Sequence, residues 1–332
     1  MVIDRIERLP WPLVRRHGLT VRWFDRWNSA LDRALHELPQ STECPHELLI
    51  SLMRHPSRAR KCVALVTKGG QPVAVIALRS TGLARWDIIG GGGVLPRFLA
   101  HAVDGYLFPA LSALGVSVHV ATQPQQPPEQ WVRQVVAHPV FRIALTSDFE
   151  AHWRESGQLS SVREARKRTK DLVCEIDAPG AAEWTIRNWA AHWNDRETAS
   201  EDDLVLAAAH YSRMGRFHTI RLMDGEVPVS GHNYFVEGNG LLFLTTFTRP
   251  EYRQRAAGIR AQDLAFEWAA RAGFQSMDLG VGHEYKRRWA PESGVRWSFD
   301  VRPWHLHALA SVVRRTLSVG RTTLSAARRA PT

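Results

Sequence analysis

Arg255, Ala256, Ala257, Gly258, Ile259 and Arg260 follow a β-type run that ends at Phe247, and they open an amphipathic helix. The first amides of a helix have no partner within it and carry the positive end of its dipole, so a diphosphate fits there. Gly258 has no Cβ and lets backbone approach a phosphate closely, and Arg255 and Arg260 are placed to add charge-assisted bonds. A second cationic group lies upstream, where Arg163, Arg166, Lys167 and Lys170 fall at i, i+3, i+4 and i+7 and share one helix face. That face suits an anionic donor or acceptor; it equally suits a solvated surface braced by Glu164 and Arg168. The run Gly90–Gly93 lacks the following Lys-Ser/Thr of a phosphate loop and reads as a turn.

The elements that must position these groups are legible from period and punctuation. The helix after Gly258 spans about 259–272. Ala261, Leu264, Ala265, Trp268, Ala269 and Ala272 form its apolar stripe, with Arg260, Asp263, Glu267 and Arg271 opposite. Before it stands a meander of three strands, 218–222, 227–235 and 241–247, joined by turns at Asp224-Gly225 and Gly238-Asn239-Gly240. Strands at 276–280 and near 297–301 follow. Ser161 to Glu164 has capping-box spacing and opens the basic helix, with helices near 182–194 and 203–214 after it. The first half alternates likewise. Phe24, Trp27, Leu31 and Leu35 mark a helix, 62–67 and 73–78 a hairpin, 86–89 and 116–120 strands, and 98–114 a helix. Both halves share a strand–hairpin–strand–helix–strand order, as a divergent duplication gives.

Composition bounds the partners. The 332 residues carry a formal charge of +10, but no acidic residue follows Asp300 and six arginines do, so most of the excess sits in a basic tail. There Leu306, Leu309, Ala310, Val313 and Leu317 line one side of a helix that either docks on the protein or lies on an anionic membrane surface. Cys44, Cys62 and Cys174 are far apart, with no disulfide framework and no metal-ligand spacing. Residues 1–16 have no continuous apolar stretch of a secretory signal, and no segment approaches the roughly 18–20 apolar residues of a membrane span. The expected location is the cytoplasm, in solution or at the inner face of the membrane.

The order meander, "FTRPEYRQRAAG", amphipathic helix, "FQSMDLGVGHEYKRRW" resembles the CelD/BcsL-type branch of the GNAT acetyltransferases, a branch related to the FemAB peptidyltransferases. Asp278, Gly282, Tyr285, Lys286 and Trp289 carry the resemblance, which spans about 147–301. It departs at the phosphate loop: the general Arg/Gln-x-x-Gly-x-Gly/Ala reads Arg255-Ala-Ala-Gly258-Ile-Arg260, and the branch's usual Ser-Pro-Gly is Ala256-Ala257-Gly258.

The resemblance implies an α/β (α+β) GNAT-type fold in two tandem halves, with mixed, mostly antiparallel sheets flanked by helices. The expected divisions are 1–140, a catalytic 141–303 and a tail at 304–332. It implies transfer of an acyl group from acyl-CoA to an amine or hydroxyl of a small-molecule, glycan or peptide-precursor acceptor, as in cellulose or exopolysaccharide biosynthesis, with no metal. Residues 255–260 would hold the donor, Tyr285 would protonate the leaving thiolate and His232, titratable near neutrality, would take the acceptor's proton. Lys286, Arg163, Arg166 and Lys167 would meet the acceptor or other anionic groups. Two alternatives stand beside this: a Fem-like enzyme using aminoacyl-tRNA, and a non-catalytic scaffold of an envelope or exopolysaccharide complex.

Overall fold

The computed structural model describes residues 18–39, 45–55, 60–80, 85–89, 100–103, 105–123, 126–193, 201–281, 284–301 and 303. The tail at 304–332 and the Gly90–Gly93 run lie outside the described residues. The first half runs β1 (Leu19–Phe24), α1 (Ser29–His36), α2 (His46–Arg54), β2 (Lys61–Lys68), β3 (Gln71–Ser80), β4 (Arg85–Ile88), β5 (Ala100–Ala102), α3 (Leu107–Ala113) and β6 (Ser117–Gln123). Then come β7 (Val132–Ala144), α4 (Phe149–Glu155) and α5 (Leu159–Arg168). The second half runs β8 (Val173–Ile176), α6 (Ala181–Trp193), α7 (Glu201–Arg213), β9 (Phe217–Asp224), β10 (Val227–Glu237), β11 (Gly240–Thr248), α8 (Ala257–Arg271), β12 (Ser276–Val281) and β13 (Glu292–Val301).

Apart from the short β5, the two halves repeat one order: a strand, two helices, three strands, a helix and a strand. In each, the helix links a parallel pair, β4 with β6 and β11 with β12, while the other pairings are antiparallel. All thirteen strands belong to one sheet, in the order β1-β2-β3-β4-β6-β13-β7-β12-β11-β10-β9-β8 with β5 beside β3. The centre of that order is an exchange. β7 follows β6 in the chain but lies against β12, and β13 follows β12 but lies against β6. A domain boundary at 140/141 therefore falls inside β7, and neither half completes its sheet alone.

Alternation along the strands divides the core. On β10 and β11, Tyr234 and Leu241 face α8, while Phe235 and Leu242 face α6 and α7. Helices α1, α2, α6 and α7 share one apolar cluster, in which Leu31, Leu48 and Val63 of the first half meet Ile186, Leu204 and Tyr211 of the second. A buried ion pair ties the same layer: Lys61 Nζ stands 2.5 Å from Asp203 on α7 and donates to the Leu52 carbonyl at 2.8 Å. On the other face α3 covers the first half, and α4, α5 and α8 cover the second.

Three expected elements differ. The predicted helix at 98–114 is a strand followed by the short α3, because Gly105 takes φ +78° between them. Phe24 ends β1, and the helix of Leu31 and Leu35 begins only after Asn28, whose side chain accepts from the amides of Ala30 and Leu31 at 3.0 and 3.1 Å. Helix α5 starts at Leu159, which puts Ser161 inside it and leaves the capping box unused.

Candidate functional site

Strands β11 and β12 are hydrogen-bonded only at their beginnings, Gly240–Leu242 with Ser276–Asp278. The closed end is tight, since a Cβ on Gly240 would stand 2.5 Å from Ser276 Oγ. Beyond it the strands part, and each carries an irregularity at that point. In β11 the pairing to β10 slips between Thr245 and Phe243, leaving Leu244 as a bulge. In β12, Gly280 takes φ +75° while its amide donates to Asp278 Oδ1 at 2.6 Å, and the register against β7 shifts between Asp278 and Val281. Two local distortions thus open a parallel pair into a V whose mouth lies at the carboxyl ends of both strands.

Among the described residues, a buried amine stands where the two strands cease to pair. A 3-10 turn at Glu284–Arg288 follows β12, and its Lys286 is only 7% exposed. Nζ donates to the Val281 carbonyl at 3.0 Å. A Cβ on Gly280 would lie 3.6 Å from that nitrogen and 3.4 Å from the Phe243 carbonyl of β11, so the amine stands beside Gly280, just past the last paired residues of β11 and β12. Burial pushes the Lys286 amine down to about 8, and the charge of Asp278 opposes that fall. Trp289 anchors the turn: it is buried and meets Trp153 edge-on at 5.5 Å, and Trp153 stacks on Phe266 of α8 at 4.7 Å. Tyr285, the expected acid, has its backbone in this turn, while its side chain lies outside the described residues.

Asp278 is fixed from three directions. Arg296 of β13 donates to Asp278 Oδ2 at 2.9 Å and to Glu237 Oε2 at 3.0 Å; Arg142 of β7 stands 3.6 Å away, and Gly280 donates to the other oxygen.

Helix α8 points its amino end toward the mouth. Ala256 is its N-cap at φ +57°, with no side-chain cap, and the intrahelical ladder begins with the Arg260 amide on the Ala256 carbonyl at 3.1 Å. The amides of Ala257, Gly258 and Ile259 therefore have no acceptor within the helix. Gly258 is half-buried, and a Cβ there would come 2.9 Å from Thr248 Oγ1. Its small size lets α8 close on the end of β11, not only on a ligand as the sequence suggested.

Arg255 and Arg260, the expected phosphate arms, both bond to groups within the protein. Arg255 is held by Asp171 and by the Arg168 carbonyl at 2.9 and 3.1 Å, and it lies over the Tyr252 ring. Arg166 turns inward from the basic face and bonds Asp263 through two nitrogens at 2.8 and 2.9 Å, with Glu150 beside it. Arg260 and Trp153 Nε1 complete the shell of Asp263, which is 0% exposed although the stripe pattern assigned it to the polar face. Covering by α4 and α5 made that face interior. Arg163, Lys167 and Lys170 remain exposed.

His232 is also corrected. It is 4% exposed, packs on Phe243 and lies 3.3 Å from the Tyr234 hydroxyl, beneath α8. Burial drives its imidazole down to about 3, opposed only by Gln262, so it is a neutral core group and too weak a base for an acceptor amine. Sequence reasoning missed Gly280 and Arg296 as site residues. A glycine inside a strand pattern could have flagged the first; nothing local flags the second. Among the described residues no cluster of three or more His, Cys, Asp or Glu could hold a metal, and no helix is long and apolar enough to cross a membrane.

The strand order of the second half, with its parallel pair bridged by a helix, is that of a GNAT-type fold. Residues 156–289 match the acetyltransferase (GNAT) domain family. No curated protein matches the chain. Similar solved structures include a DUF2156 C-terminal domain from Agrobacterium fabrum, at 14% identity over 86% of this chain and 96% of that one, with a TM-score of 0.48. A tandem GNAT protein from the clavulanic acid biosynthesis pathway is similar at 11% identity over 85% and 98%, with a TM-score of 0.47. FemX is similar at 12% identity over 87% and 99%, with a TM-score of 0.45.

Proposed function

We propose that the GNAT-type domain at 156–289 transfers an acyl group from a CoA thioester to an amine, in the V between β11 and β12. The observation that carries this reading is the buried Lys286 amine beside Gly280, where β11 and β12 cease to pair, together with the uncapped N-terminus of α8 at the end of β11. The diphosphate of the donor would meet the amides of Ala257, Gly258 and Ile259. The pantetheine arm would lie along the free edges of β11 past Leu242 and β12 past Asp278, where unpaired backbone groups are available to it.

An attacking amine, arriving as its free base, bonds to the thioester carbonyl carbon and the C–S bond breaks. Lys286 supplies positive charge beside the developing oxyanion and passes its proton to the leaving thiolate, while the acylated nitrogen sheds its extra proton to solvent, from which Lys286 is reprotonated. The reading moves the acid role from Tyr285 to Lys286 and assigns no described side chain as general base. A polysaccharide or envelope-precursor acceptor, as in the CelD/BcsL branch, belongs to this proposal and rests on the sequence resemblance.

Titration with acetyl-CoA tests it. Saturable binding that weakens in the Gly258→Trp variant supports the reading; no calorimetric signal with folded protein ends it. A donor carried on tRNA is the second reading, favoured by the exposed Arg163 and Lys167 on α5 and Lys170 in the turn after it, where the Arg168 carbonyl holds Arg255 just ahead of α8. It predicts RNA binding that falls steeply with salt, because each phosphate contact releases counterions.

A further inference from the structure

We infer that Arg296, delivered by the exchanged strand β13, is the positioning residue that keeps Asp278 from dominating Lys286, so that this strand sets the charge state of the lysine. The inference rests on the reading of the V as the transfer site, but its primary test does not.

Arg296 lies on β13, paired in register with His138 of β7, yet its guanidinium reaches past β7 to Asp278 on β12 and Glu237 at the end of β10. It is 5% exposed, and so is the Asp278 side chain. A carboxylate so placed would act strongly on any cation nearby, because little water screens it. Asp278 has two neighbours of opposite kind. One is Arg296, bonded directly; the other is Lys286, close enough to feel the carboxylate but bonded to the Val281 carbonyl. Arg142, half exposed, adds weaker compensation from β7, and Glu237 shares the guanidinium from β10. The second oxygen of Asp278 holds the Gly280 amide, and Gly280 in turn forms the wall against which the Lys286 amine rests. One carboxylate thus orients the turn and tunes the amine, and Arg296 balances its charge. The strand exchange makes this arrangement a property of the joined halves.

The experiment follows the reactivity of the Lys286 amine toward an acylating reagent across pH, located by peptide mass spectrometry, with no donor or acceptor present. In the wild type the reactivity midpoint is expected near 8. Arg296→Gln leaves Asp278 uncompensated and should raise the midpoint by about one unit or more. Asp278→Asn should lower it below the wild-type value. The double variant, which removes both charges of the Arg296–Asp278 pair, should match Asp278→Asn if Arg296 acts through Asp278. If Arg296→Gln does not fold, the double variant decides the matter. A folded Arg296→Gln protein with an unmoved midpoint, or a double variant unlike Asp278→Asn, overturns the inference. Shifts of the expected signs without any acetyl-CoA binding would sustain it while removing the transferase reading.

Discussion

Lys286 Nζ donates to the carbonyl of Val281 at 3.0 Å, tying the turn after β12 back to the strand end it has just left. The bond holds a buried amine at the point where β11 and β12 separate. An amine whose charged form is disfavoured by burial is costly to the fold and useful to a proton transfer.

That conflict gives the first prediction. Lys286 has its amine at about 8 in the folded protein, below its ordinary 10.5. The unfolded chain then binds more protons between those values, so stability should rise with pH from about 8 to 10.5. Lys286→Met should remove that slope and stabilise the protein at pH 7 by about 2–3 kcal/mol, while abolishing acyl transfer. Urea denaturation at several pH values and a thiol-release assay check the two halves of the statement.

The rate itself should be bell-shaped. Its rising limb reports the acceptor amine losing a proton; its falling limb, near pH 8, reports Lys286 losing the proton it gives to the thiolate. A kcat/KM profile with no loss of rate above pH 8 is the contrary result.

Gly280→Ala tests the wall of the V. The residue sits at φ +75°, and the new methyl would meet the Phe243 carbonyl and the lysine amine in ordinary contact at 3.4 and 3.6 Å, so the strain falls on the backbone. The left-handed conformation alone costs about 1–2 kcal/mol for a residue with a Cβ. A lower melting temperature and a fall in kcat larger than any change in KM are expected.

Asp263→Asn should destabilise the chain by about 3–5 kcal/mol, because it leaves Arg166 with half its ion pairing inside the packing of α4, α5 and α8. Chemical denaturation measures it. Loss of donor binding with unchanged stability would instead mean that Arg166 faces a ligand.

His232→Gln should leave the neutral-pH rate within a few-fold of wild type. The imidazole, held near 3 against an ordinary 6.5, contributes stability that is lost as pH falls through that interval, since the unfolded chain takes up the proton first. The variant should therefore unfold at a lower pH than the wild type, followed by circular dichroism.

Much of this molecule is set by local pattern. The meander of β9, β10 and β11 and the helix α8 fall within a few residues of where the Asp-Gly and Gly-Asn-Gly turns and the apolar stripe put them. The repeated order of elements needed no coordinates. β7 escaped notice because it carries Pro139 and an exposed stretch through Val135 and Val136 with no clean alternation; the proline is tolerated just past Val140, where pairing with β12 ends. The site was legible only as a neighbourhood. Sequence placed Lys286, Asp278 and Gly258 in one stretch, but their chemistry depends on what covers them. A helix face is polar in pattern and interior in fact once α4 and α5 lie on it, as Asp263 shows, and a strand histidine is a base or a core residue according to which face meets α8. The partner that balances Asp278 comes from Arg296 on a strand exchanged between halves, because burial and long-range pairing are properties of the assembled sheet and leave no mark on local spacing.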